Sequence, residues 1–244
     1  MSKASPRARS ARTNTPSTEM PAVFELPIGD ALGPLNEFEK QHAPKRLFLQ
    51  GDRALLRRVK VSIVGSRKPS EEGVKRATRL ARELVGHDVV VVSGLALGID
   101  VAAHRAAIDA GGRTIAVIGT PLDDVHPRAH RELQSEIARH HLVVSQFASG
   151  YPVLPRNFPM RNRTMALIVD ASVIVEAGEG SGTLSQGWEA LRLARPLFIM
   201  RSVVETSGLK WAAEMVDYGA RVLTTPADLL ERLPFGEPLA AFSA

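Results

Sequence analysis

The 244-residue sequence contains no cysteine, which removes disulfides, thiol nucleophiles and cysteine-based zinc sites. That absence fits a reducing compartment, and a cytoplasmic location is the expectation. No uncharged apolar run reaches about 18 residues, so no membrane span is expected, and no signal-peptide apolar region is present. Aromatic residues make up only 5 % of the chain, so each ring in a loop has to be weighed singly. The phosphate-loop pattern Gly-x-x-x-x-Gly-Lys-Ser/Thr and the hydrolase elbow Gly-x-Ser-x-Gly are both missing.

What remains is an ordinary globular composition, 44 % hydrophobic and 23 % charged, enough to bury one main core. The formal charge is +5, but Lys3, Arg7, Arg9 and Arg12 against Glu19 give residues 1–20 a net +3. The excess is therefore local, and clusters rather than the total must identify a partner. Residues 1–20 read as a disordered basic tail, 21–46 as a linker with at most a short helix near Leu35–Gln41, 47–235 as the folded domain and 236–244 as a C-terminal tail.

Short β-branched runs at Lys60–Val64, Val89–Val92, Thr114–Ile118, Leu142–Ser145, Ser172–Val175, Leu197–Met200 and Arg221–Leu223 predict strands. Between the first six lie helical stretches at Glu72–Val85, Gly98–Asp109, Arg128–His140, Pro159–Val169 and Ser181–Ala194. Continuous Val/Ile runs indicate strands covered on both faces, and repeated βα units give an α/β fold with a doubly wound, mostly parallel sheet.

Such sheets bind ligands at the carboxyl ends of their strands. The residues that follow those ends are Gly65-Ser66-Arg67, then Ser93-Gly94 with Gly98 four residues on, Gly119-Thr120, and Glu176 leading into Ser181-Gly182-Thr183. Glycine permits close backbone approach and hydroxyls add donors, so four such loops with an arginine point to an anionic ligand. The first turn lacks Gly-x-Gly-x-x-Gly, and Ser93 stands where an acid would hold a ribose, so no dinucleotide fingerprint is present.

Arg161, Asn162 and Arg163 open a helix, whose partial positive charge disfavours arginines there unless an anion or a carboxylate offsets them. The offset is either a phosphodiester or an internal pairing of Arg161 or Arg163 with Glu176. Asp100 and His104, four apart, form either an acid–imidazole pair near the ligand edge or a local pair that orients the helix start. Adjacent His140 and His141 diverge, and no metal site is expected. The loop "QFASGYPVLPRNF", Gln146–Phe158, hangs over the same edge, with Tyr151 and Phe158 either stacking on bases or capping the core.

The stretches "LFLQGD", "VSIVGSRKPSEEG", "VVSGLALGIDVAAHRAAIDAGGRTIAVIGTPLDDVHP", "FPMRNRTMA" and "VIVEAGEGSGTLSQGWEAL" occur in this order from about Leu47 to Met200. In motif and order they resemble the DNA-processing protein A family, also called Smf, within a wider superfamily that includes the LOG phosphoribohydrolases. The resemblance implies an extended Rossmann-like single domain that binds single-stranded DNA and hands it to the recombinase RecA during uptake and recombination of incoming DNA, usually as a homodimer. It implies no cofactor and no bond-making chemistry. Arg67, with Gly65 and Ser66, matches the family's phosphate-binding loop; Arg161, Asn162 and Arg163 match its RNR signature, and Ser181-Gly182-Thr183 its Ser-Gly-Ser/Thr loop. Pro121 replaces a commoner glycine-rich turn, and His126 a usual tyrosine.

Two other functions share such a pocket. A LOG-type enzyme would cleave a nucleoside monophosphate from its base, but Gln186 occupies the place of that relative's acid, and a glutamine cannot act as general base. Glu189, three residues on, is the substitute candidate. A nucleotide-sensing domain is the third reading.

Overall fold

The computed structural model describes residues 19–206 and 208–235; most of the expected basic tail and all of 236–244 lie outside the described residues. The described residues form a nine-stranded sheet in the order β1-β2-β6-β5-β4-β3-β7-β8-β9. Its centre is built from β3 (Lys60–Gly65), β4 (Val90–Ser93), β5 (Thr114–Ile118), β6 (Leu142–Ser145), β7 (Ala171–Glu176), β8 (Leu197–Met200) and β9 (Arg221–Leu223), all parallel. The α/β, doubly wound, mostly parallel architecture expected from the β-branched runs is the one observed.

The segment 21–46 is not a linker with one short helix. It holds β1 (Val23–Pro27), α1 (Ile28–Leu32) and α2 (Glu37–His42), and β2 (Arg46–Gly51) follows. β1 pairs antiparallel with β2, which pairs antiparallel with β6. As an edge strand, β1 is exposed over most of its length and carries no buried apolar alternation to announce it. The ladder holds it instead, with Arg46 paired to Glu25 at 2.6 Å and the Arg53 guanidinium 3.9 Å above the Phe24 ring. α2 begins on an Asn36/Glu39 capping box, and buried Glu39 also accepts from Arg195 at 2.7 Å.

Helices α3 (Glu71–Gly86), α4 (Ile99–Asp109) and α5 (Arg131–His140) cover one face of the sheet, packing on Val61, Ile63, Val91 and Ala116. Helices α6 (Asn157–Ile168), α7 (Thr183–Arg192) and α9 (Lys210–Asp217) cover the other, on Val64, Val92, Ile115 and Ile174. Alternate residues of one strand thus feed opposite cores, which is why the apolar runs are unbroken. Short helices α8 (Arg201–Val204) and α10 (Pro226–Leu230) flank β9.

From β3 the chain winds outward through β4, β5 and β6, then returns to lay β7 on the opposite side of β3. The loops after β3 and β7 therefore diverge and leave a crevice at the carboxyl edge between them. No described helix is long and apolar enough to cross a membrane.

Candidate functional site

A cleft of about 550 Å³ occupies that crevice. Gly65, Ser66, Arg67 and Lys68 line it from the β3 loop, Arg161, Asn162 and Met165 from α6, and Gly178 and Ser181 to Thr183 from the β7 loop and the start of α7. Its walls are tied together by short bonds. Thr183 Oγ1 donates to the Gly65 carbonyl at 2.9 Å, the Thr183 amide to Ser181 Oγ at 3.2 Å and the Lys68 amide to Ser66 Oγ at 3.1 Å. The amino end of α7, with its partial positive charge, thereby opens onto the cleft.

Of the three arginines that the sequence singles out on this edge, two line the cleft and behave differently. Arg67 is exposed, borders the cleft and makes no hydrogen bond or ion pair among the described residues. Arg161 is only 6 % exposed. Its Nη1 donates to the carbonyls of Gly94 and Val117, the latter at 2.7 Å, and its Nε donates to Asn162 Oδ1 at 3.0 Å. It thus pins the ends of β4 and β5 to α6. A Cβ on Gly94 would overlap this guanidinium, so Gly94 is required by packing.

Asp100, buried beside Arg161, accepts from the amides of Gly94 at 3.1 Å and Ala96 at 3.2 Å. Burial pushes its carboxyl up from the ordinary range, while Arg161 and the two amides oppose that shift. Burial pushes the Arg161 guanidinium down; Asp100 counters this and Arg67 adds repulsion. Arg67 and Arg161 thus place two cations at this edge, the buried one beside Asp100.

Several expected contacts fall elsewhere. Arg163 turns to α7, where its Nε and Nη2 donate to the Glu189 carboxylate at 2.8 and 3.1 Å, which raises its pKa. Neither Arg161 nor Arg163 pairs with Glu176. That carboxylate instead holds Ser70, the residue that caps α3, accepting from the Ser70 amide at 2.7 Å and hydroxyl at 2.5 Å, and it accepts from Arg76 at 3.1 Å. Ser93 is fully buried and donates to the Ile63 carbonyl at 2.6 Å, so it joins two strands rather than facing a ligand. Gly98 adopts φ 80° and packs against Ser66 and Pro69, where a side chain has no room.

Asp100 and His104 do not pair. His104 Nδ1 lies 2.7 Å from Thr114 Oγ1, whose single proton goes to the Val91 carbonyl at 2.7 Å. Nδ1 must therefore carry the imidazole proton, and burial pushes the ring's pKa down to about 3. His104 supports the sheet and does not line the cleft.

A smaller recess of about 60 Å³ adjoins the cleft, bounded by Leu97, Gly119, His126, Phe158 and both arginines. The Phe158 ring lies over Gly119, where a Cβ would stand 2.8 Å from it, and against His126 at 5.4 Å between centroids. Tyr151 stacks on Phe147 at 5.0 Å instead. Sequence reasoning left out Lys68, whose signal was its place next to Arg67 in the same loop.

Comparison with known proteins bears on what enters this cleft. DNA processing protein DprA of Streptococcus pneumoniae is 37 % identical over 219 residues, 90 % of this chain and 77 % of its own. Its X-ray structure superposes with a TM-score of 0.76, covering 89 % of this chain and 76 % of that one at 35 % identity. The Bacillus subtilis DprA is 33 % identical over 78 % of this chain, which spans 65 % of that relative's length. The Helicobacter pylori DNA processing protein A, solved for its single-stranded DNA binding mode, gives a TM-score of 0.72 at 28 % identity, covering 86 % of this chain and 95 % of its own. Residues 28–234, which include every wall of the cleft, match the family described as DNA recombination-mediator protein A, and the chain belongs to that family.

Proposed function

We propose that this chain binds single-stranded DNA in DNA processing and recombination, with backbone phosphates seated in the cleft at the carboxyl edge of β3 and β7. The observation that carries this reading is Arg67, an exposed cation without a partner among the described residues, at the mouth of a cleft that already holds the amino end of α7. An arginine fork and helix-start amides are the groups that bind phosphate. Ser66, Lys68, Ser181, Gly182 and Thr183 complete the contact surface, with Arg161 and Asn162 behind it and Phe158 at the side where a base can stack. Strand binding by the Helicobacter pylori relative supports the same reading.

The protein acts as a binding mediator rather than an enzyme in this proposal. Gln186 faces the cleft where an acid is needed, and Glu189 is held by Arg163 and by Arg192 at 3.0 Å, off the cleft lining. Neither position 186 nor position 189 thus presents a free carboxylate to the cleft as the general base of a phosphoribohydrolase. The chain works in the cytoplasm, without a cofactor, as a homodimer that passes the strand to RecA.

Fluorescence polarisation with oligothymidine across a salt series tests the proposal. Binding that weakens as salt rises supports it; failure to bind any strand, with release of free base from nucleoside monophosphates, replaces it with the enzyme reading.

A further inference from the structure

The cleft does not end at the loop after β7. Three of its lining residues, Ser66, Lys68 and Gly178, also line a second cleft of about 530 Å³ on the α3 side of that loop. This second cleft lies between the start of α3 and α8, over the carboxyl ends of β7 and β8, and Arg76, Ser202, Val203 and Thr206 form its outer walls. A mononucleotide sits wholly within one cleft, whereas a strand has to leave it at both ends. The small recess beside His126 and Phe158 is one way out, and the shared edge at Ser66 and Gly178 is the other.

Whether a phosphate backbone can follow that edge depends on the charges it meets. Glu176 is the one carboxylate lining the second cleft, and both its oxygens are taken by Ser70 and Arg76. Gly73 makes room for it against α3, since a Cβ there would stand 2.4 Å from Oε2. Glu176 is thus held into the helix start with its charge offset. Glu72 and Glu179 do not line the cleft; the first pairs with Lys75 at 2.7 Å and the second accepts from the Lys210 amide at 2.9 Å. Donors are left over. Arg76 gives one N–H to Glu176, while its Nε has no partner among the described residues. Lys68 Nζ and the Ser202 hydroxyl also have none among the described residues. A guanidinium with unspent N–H groups, an ammonium and a hydroxyl are a donor set suited to phosphate.

We infer that the bound strand crosses the loops after β3 and β7 at Ser66 and Gly178 and continues into the second cleft, where Lys68, Arg76 and Ser202 receive its backbone phosphates. The inference rests on the proposed strand binding and extends it beyond the first cleft. Contact there is with phosphate, so it adds affinity for longer strands without reading their sequence.

Two measurements on the full chain test it. Because the sequence has no cysteine, Ser202→Cys creates a single attachment point for a photo-crosslinker, and His87→Cys, exposed at the far end of α3, is the control. Irradiation with a labelled oligothymidine of about 16 nucleotides crosslinks from position 202 roughly tenfold or more above the control. In polarisation, Ser202→Glu sets a carboxylate among the donors. It weakens the strand of about 16 nucleotides by about fivefold and leaves one of about 4, which fits the first cleft alone, within about twofold. Crosslinking no higher than the control, an unchanged affinity of Ser202→Glu for the long strand, or an equal loss for both lengths overturns the second cleft and leaves the first standing. Absence of binding of any strand to the parent overturns the strand-binding proposal itself and this inference with it.

Discussion

The Arg161 guanidinium lies directly against the Gly94 backbone, donating to its carbonyl from a position that a Cβ on Gly94 would occupy. The same side chain reaches Val117 and is neighboured by buried Asp100, so it holds the ends of two strands in place. Gly94→Ala should cost roughly 1–3 kcal/mol through overpacking. Arg161→Ala leaves two buried carbonyls and a buried carboxyl without their cation, and should cost roughly 3–5 kcal/mol. Urea unfolding measures both, and an Arg161→Ala protein as stable as the parent contradicts this structural role.

Glu189 gives the next expectation. It accepts from both Arg163 and Arg192, so Glu189→Gln should lower stability by about 1–2 kcal/mol in the same unfolding assay. Because neither Arg163 nor Glu189 lines the cleft, oligothymidine affinity should stay within about twofold. A large loss of affinity with unchanged stability would place the pair in the binding surface.

The buried imidazole of His104 sets a pH dependence. Its pKa falls to about 3 in the folded state, below the roughly 6.5 of an unfolded chain. Below that upper value the unfolded state takes up protons that the folded state refuses, so stability is greatest above it and declines progressively down to the folded value. His104 alone accounts for about 2 kcal/mol between pH 7 and pH 5. His141 shifts in the same direction, chiefly by burial, and adds to the decline. Urea midpoints at the two pH values should show a smaller drop in His104→Gln; an equal drop removes His104 as the source.

The central sheet was legible because buried parallel strands need unbroken β-branched runs, as in Lys60–Gly65 and Ala171–Glu176. β1 was not, because an edge strand is specified by its ladder to β2 rather than by its own side chains. The ligand edge followed from the glycine and hydroxyl loops, and Arg67 stood out by its place after Gly65-Ser66. Residue type could not separate Arg67 from Arg161 and Arg163, since all three are arginines on one edge. What separates them is which acceptors lie within reach: none among the described residues for Arg67, two backbone carbonyls and the Asn162 side chain for Arg161, and a carboxylate for Arg163. Those acceptors come from β4, β5 and α7, elements far away in sequence. In the sequence Gln186 stands out only for replacing an acid; its orphaned oxygen is a product of the fold.

The most direct measurement of the proposed function compares Arg67→Ala with the parent in oligothymidine binding across a salt series. Exposed and unpaired among the described residues, Arg67 contributes little to the fold, so its removal should leave thermal stability within about 0.5 kcal/mol of the parent. The account predicts an affinity loss of roughly tenfold or more and a slope of log K against log salt smaller by about 0.7. Unchanged affinity and unchanged slope in a folded Arg67→Ala protein would contradict it.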